Sequence, residues 1–131
     1  MLVSVFGNKK LVHKYTLFYT GEVAGTNQRH MISKNGRIIT TRKYRNFKRA
    51  LINSWIIQPQ HKIKSKIYIE ILFIIDKRRD ADSLLKPIFD SLEAANIIKN
   101  DNQIIGYFVE KQNRLKNQPN MIKLDIYEVI E

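Results

Sequence analysis

Asp80 and Asp82 stand two residues apart just after the apolar run Ile67 to Ile75, and Lys86, Asp90 and Asp101 follow them. On an extended chain residues two apart point to the same side, so the two carboxylates face one place. Anions held so close repel, and the arrangement becomes favourable when a divalent cation lies between them. Mg²⁺ binds one or two carboxylates and fills its shell with water and phosphate oxygens, so a phosphodiester suits such a pair. From Ser83 onward the apolar period changes from two to about 3.6, because Leu85, Ile88, Phe89, Leu92 and Ala95 fall on one helical face. Lys86 and Asp90 lie four apart on the opposite face with Asp82 a turn back, so the polar face continues the carboxylate site. Asp82 or Ser83 can serve as the N-cap. Pro87 either makes the first turn irregular or moves the start of the helix proper towards itself. Asn96 tolerates a left-handed ending, and Asp101 in the polar turn beyond could fold back as a third ligand.

With this order and spacing the segment resembles the RusA family of Holliday-junction resolvases. The family pattern runs Arg-Asp-x-Asp-Asn-x-x-Lys-x-x-x-Asp-Ala-Leu and then, about ten residues on, Asp-Asp-x-Gln-Val/Ile. It is matched by Arg79, Asp80, Asp82, Lys86, Asp90, Leu92, Asp101, Gln103 and Ile104, with Ser83, Ser91 and Asn100 as departures. Of the Pro-x-Ser-x-Asn that usually precedes the family's basic loop, only Asn27 is present. The resemblance implies that Asp80, Asp82 and Asp101 bind the metal, Mg²⁺ with Mn²⁺ as a substitute, and that Lys86 is needed for cleavage. Asp90 would then act behind them, tuning Lys86 or assisting a ligand. It also implies a homodimer that resolves four-way DNA junctions by paired nicks leaving 5′-phosphates. A bacterial cytoplasmic setting follows, with a phage or prophage gene as the source that the family association suggests.

Charge points to the same partner. The 131 residues carry 23 Lys and Arg against 12 Asp and Glu, a net charge of +11 that calls for a polyanion. Between Glu22 and Glu70 there is no acid, while Arg29, Lys34, Arg37, Arg42, Lys43, Arg45, Lys48 and Arg49 fall there. These cations, with Asn27, Arg78 and Arg79, are the candidate DNA contacts, holding a phosphate backbone while the acidic cluster addresses one phosphate. A merely solvated basic surface and a structural Asp cluster would instead make this a non-catalytic nucleic-acid-binding protein. An Asp-x-Asp enzyme acting on a nucleotide is a further alternative, to which a basic half of this extent is less suited.

The elements that must position these groups read as a single α+β domain over residues 1–131: a mixed β-sheet flanked by two helices in the order β-ββ-α-β-α-β-β. Val12 to Tyr19 reads as a first strand. Met31 to Thr41 contains Asn35-Gly36 between two short β-like runs, a hairpin with a type I′ turn. Thr40 or Thr41 can cap a helix running to about Ile57, with the apolar stripe Tyr44, Phe47, Leu51 and Trp55. Lys64 to Asp76 reads as a central strand with both faces mostly buried. Ile104 to Glu110 and Met121 to Ile130 close the sheet. The chain has no cysteine, which excludes disulfides and thiolate metal sites. No apolar run approaches the roughly 20 residues of a membrane span. The beginning of the chain lacks the pattern of a signal peptide, and no Gly-rich phosphate loop argues for a nucleotide cofactor.

Overall fold

The chain is described by a computed structural model over residues 3–6, 9–56 and 61–130. Its centre is set by alternation: in strand β5 (Ile67–Ile75), Ile67, Ile69, Ile71, Phe73 and Ile75 are buried on one face, while Tyr68, Leu72 and Ile74 on the other are half-buried. Five strands form the sheet in the order β1 (Val3–Phe6), β2 (Lys9–Thr20), β7 (Met121–Ile130), β5 and β6 (Ile104–Asn113). Neighbours are antiparallel except β5 and β6, which run parallel with Ile67 opposite Ile104 and Ile75 opposite Asn113. A separate two-stranded ribbon joins β3 (His30–Ile32) to β4 (Ile38–Thr40). The expected order of elements holds, with one more strand at the start. β1 is only four residues long, too short for a periodic pattern to register, and its place is set by pairing with β2.

Helix α1 (Arg42–Trp55) begins where Thr41 accepts the Tyr44 amide at 3.2 Å. Its stripe of Tyr44, Phe47, Leu51 and Trp55 is buried, and the Trp55 indole donates to the Phe18 carbonyl at 3.3 Å. The expected end at Ile57 lies outside the described residues. Helix α2 (Leu85–Ala94) packs on the same sheet face through Ile88 and Leu92, with Leu84 just before it, so α1, α2 and the inner face share one core. It ends as anticipated, with Asn96 left-handed at φ 62°.

Two expectations are corrected. Burial of both faces of β5 is complete only on the helix side; on the outer face Glu70 is exposed, and its cross-strand neighbour Asp125 accepts bonds from Thr16 at 2.6 Å and His13 at 3.1 Å. The ribbon turn is not type I′, which needs positive φ at both central residues. Only Gly36 has it, at 77°; Gly36 N–H donates to Ser33 C=O at 3.0 Å and Ser33 N–H to Arg37 C=O at 2.8 Å. That is a three-residue loop closed by a glycine bulge.

Gln103 ties the two ends of the β5–α2–β6 crossover together. Its buried amide accepts the N–H groups of Lys99 (2.7 Å) and Asn100 (2.9 Å) and donates to the carbonyls of Ile63 (2.9 Å) and Ser65 (2.7 Å). Gln103→Ala leaves those partners unsatisfied and should cost about 2–4 kcal/mol in urea unfolding. A loss under about 0.5 kcal/mol would show that water replaces the amide without penalty.

Candidate active site at the end of strand β5

Beyond Ile75 the chain turns sharply, and three interactions hold the turn. The Asp76 carboxylate accepts Arg78 through its amide (2.9 Å) and guanidinium (3.2 and 3.4 Å), and these hydrogen bonds pull the Asp76 carboxyl down to about 2. Arg79 N–H donates to the Asp76 carbonyl at 3.0 Å. From β6, Lys111 Nζ donates to the carbonyls of Lys77 (2.9 Å) and Arg79 (2.5 Å), bracing the backbone next to Asp80.

Asp80 Oδ1 accepts the Asp82 amide at 3.1 Å, and Ser83 Oγ donates to the Asp80 carbonyl at 2.7 Å. Neither Asp82 nor Ser83 caps α2 as expected: its N-cap is Leu84, without a side-chain bond, and residues Asp82–Leu84 form a tight 3₁₀ turn ahead of it. This irregular start keeps Pro87 in the first turn of α2, where proline is tolerated. The departures from the family pattern are accommodated: buried Ser91 donates to the Pro87 carbonyl at 2.6 Å, and Asn100 accepts the Asn102 amide at 2.8 Å.

Asp80 and Asp76 line a cavity of about 420 Å³ whose other walls are Asn27, Arg78, Arg79, Arg114 and Asn120. Asn27 reaches it because Gly25 lets its loop lie against the Asp82–Leu84 turn; a Cβ on Gly25 would sit 2.1 Å from Ser83 Oγ. Along α2, Asp90 lies between two lysines, Lys86 at 3.8 Å and Lys48 of α1 at 3.5 Å. Lys43 lines an adjoining cavity, and the Arg29 guanidinium lies 5.8 Å from the centre of the Tyr44 ring. Arg42, Arg45 and Arg49 are exposed on α1, and Lys34 and Arg37 at the ribbon tip.

Asp101 is elsewhere. Its amide donates to Glu93 Oε1 at 2.5 Å, in the last turn of α2, whereas Asp82 precedes the first. The ten residues of α2 separate them by about 15 Å. Likewise Asp101 precedes Ile104 at the Ile67 end of β5, and Asp80 follows the Ile75 end. Among the described residues no group of three or more acidic or histidine side chains is placed to hold a metal. The donor chemistry of Asp80, Asp82 and Asn27 suits Mg²⁺, since all are hard oxygens and one or two carboxylates suffice, but the described residues do not close a three-carboxylate site.

Arg114, Asn120, Lys111 and Gly25 were not expected from the sequence. The register of β6 would have pointed to Arg114, whose amide donates to the Ile75 carbonyl at 2.8 Å.

Residues 20–126 match the family model described as endodeoxyribonuclease RusA. A crossover junction endodeoxyribonuclease RusA of Aquifex aeolicus (strain VF5) is 32% identical over 89 residues, covering 64% of this chain and 69% of the relative.

The contact at Gly25 is open to a double-mutant test. Gly25→Ala should destabilise by about 1–3 kcal/mol through overpacking against Ser83, and adding Ser83→Gly should restore most of the loss. Equal stability of Gly25→Ala and wild type in urea would mean that the loop does not approach the turn so closely.

Proposed function

The chain belongs to the RusA endodeoxyribonuclease family, and from that premise we propose that it is a Mg²⁺-dependent, structure-selective nuclease that resolves four-way DNA junctions by paired nicks. The observation that carries this reading is Asp80, joined to Asp82 on a braced turn and lining a cavity whose other walls are Asp76, three arginines and two asparagines. Carboxylates amid phosphate-binding groups suit a metal that works on a phosphodiester.

A homodimer supplies what one protomer lacks. Strand β6 lies at the edge of the sheet, with Ile105, Tyr107 and Phe108 exposed, and edges of this kind pair readily with another chain. If two β6 strands pair antiparallel about a two-fold axis, the Ile104 end of one meets the Asn113 end of the other. Asp101 of one protomer then comes to the end of the sheet where Asp80 and Asp82 of its partner stand. Two such sites related by a two-fold axis match the paired strands of a junction.

Asp80 and Asp82, with Asp101 from the second protomer, would hold Mg²⁺, and Mn²⁺ meets the same hard-oxygen requirement. When bound, the metal supplies Lewis-acid polarisation of the phosphate and a water of lowered pKa. Lys86 stabilises charge that develops on the phosphate oxygens, and Asp90 holds both Lys86 and Lys48 at the edge of the site. Arg42, Arg45 and Arg49, with Lys34 and Arg37 on the ribbon, hold flanking phosphates and so position the junction without reading its sequence.

Asp82→Asn removes a ligand charge at constant size. Nicking of a synthetic four-way junction in Mg²⁺ should fall by orders of magnitude, while junction binding without metal holds or tightens, because one repulsive charge is gone. Lys86→Ala should also lose most cleavage, but without tighter binding. A folded Asp82→Asn protein that nicks at the wild-type rate would remove the main support for the assignment and leave a basic binding protein.

A further inference from the structure

Lys111 is an exposed residue of β6, yet its ammonium is held on two carbonyls of the Asp80 turn, those of Lys77 (2.9 Å) and Arg79 (2.5 Å), which lie 34 and 32 residues away in the chain. An exposed lysine ordinarily keeps its head in water and its long stem mobile. Two charge-assisted bonds hold this one in a single place.

The Arg79 carbonyl belongs to the same planar peptide unit as the Asp80 nitrogen, so holding it limits rotation on that side of Asp80. Ser83 Oγ holds the plane on the other side by donating to the Asp80 carbonyl at 2.7 Å. With both flanking peptide planes held, the Asp80 backbone is fixed and its carboxylate is aimed, Oδ1 lying 3.1 Å from the Asp82 amide. The Ser83 bond is local to the turn. Lys111 is the side chain that ties the turn to the sheet.

We propose that Lys111 is a positioning residue for the metal: by fixing the peptide plane before Asp80 it keeps that carboxylate aimed, and so raises the affinity of the site for a divalent cation. Ligands already held in place lose less freedom when the ion binds, and groups that orient a ligand govern affinity through it. The proposal rests on the reading of Asp80 as a metal ligand and adds a residue that acts through it. Charge alone predicts the opposite effect. An ammonium beside a cation site repels the ion, so removing it should strengthen metal binding. The sign of the change therefore separates positioning from electrostatics.

The experiment titrates Mn²⁺ into wild type, Lys111→Met and Lys111→Arg without DNA, counting free Mn²⁺ by electron paramagnetic resonance. Methionine keeps the apolar stem and loses both bonds, whereas arginine keeps donors at its end. The residue is exposed on an edge strand, so neither change touches the core. Lys111→Met should weaken Mn²⁺ binding about tenfold, the usual cost of losing a group that orients a ligand, and Lys111→Arg should restore most of it. Unchanged or tighter binding by Lys111→Met, or a loss that Lys111→Arg does not relieve, would overturn the proposal. If wild type holds no Mn²⁺, the metal reading fails, and positioning is then judged by amide hydrogen exchange without metal. The Arg79 and Asp82 amides, bonded within the turn to Asp76 and Asp80, should exchange several-fold faster in Lys111→Met while those of β5 are unchanged. Equal exchange in the turn would overturn the positioning role itself.

Discussion

Parallel pairing between β5 and β6 is the constraint on which the site depends. Two parallel neighbours need a crossover, and here α2 provides it, packed on the inner sheet face through Ile88 and Leu92. A helix rises about 1.5 Å per residue and a strand about 3.3 Å, so the ten residues of α2 cover only about half the length of the nine in β5. The remaining distance is covered by irregular segments at the two ends of α2. One carries Asp80 and Asp82, the other Asn100, Asp101 and Gln103. Both chemical parts of the motif therefore lie where the backbone is free of ladder bonds and side chains can turn outward. The same constraint sets them at opposite ends of the sheet, so the proposed site draws on a second protomer.

Electrostatics divides along similar lines. The acid-free stretch becomes the ribbon and α1, whose exposed side presents Arg42, Arg45 and Arg49. Acids near the site are held by cations: Asp76 by Arg78, and Asp90 by Lys48 and Lys86. Such exposed pairs contribute little stability; what they do is orient side chains around the proposed DNA site. The turn that bears Asp80 is held as well by the Lys111 and Ser83 side chains, which donate to its backbone carbonyls.

Features governed by local chemistry were legible in the sequence. The Thr41 cap, the Tyr44–Trp55 stripe, the hairpin at Asn35-Gly36 and the left-handed Asn96 each follow from a few adjacent residues. Features that depend on tertiary register were not. Gly25 matters only because its loop meets Ser83, and Arg114 only because β6 runs beside β5. Asp101 was expected to fold back because spacing along the chain says nothing of a crossover that carries it to the far end. The Asp80–Asp82 segment was readable from the sequence, although Ala81 between the two is αR and not extended as expected; in the proposed dimer the carboxylate that joins them comes from another copy of the chain.

Mixing two inactive variants tests that arrangement most directly. Asp82→Asn and Asp101→Asn, each unable to nick alone, should regain nicking when co-refolded, because a mixed dimer has one site with Asp80 and Asp82 from one protomer and Asp101 from the other intact. At equal amounts about a quarter of wild-type sites are restored, half of the dimers being mixed and one of their two sites sound. No recovery from a mixture shown to exchange subunits would mean that Asp101 acts within its own protomer or not at all, and would contradict the shared site.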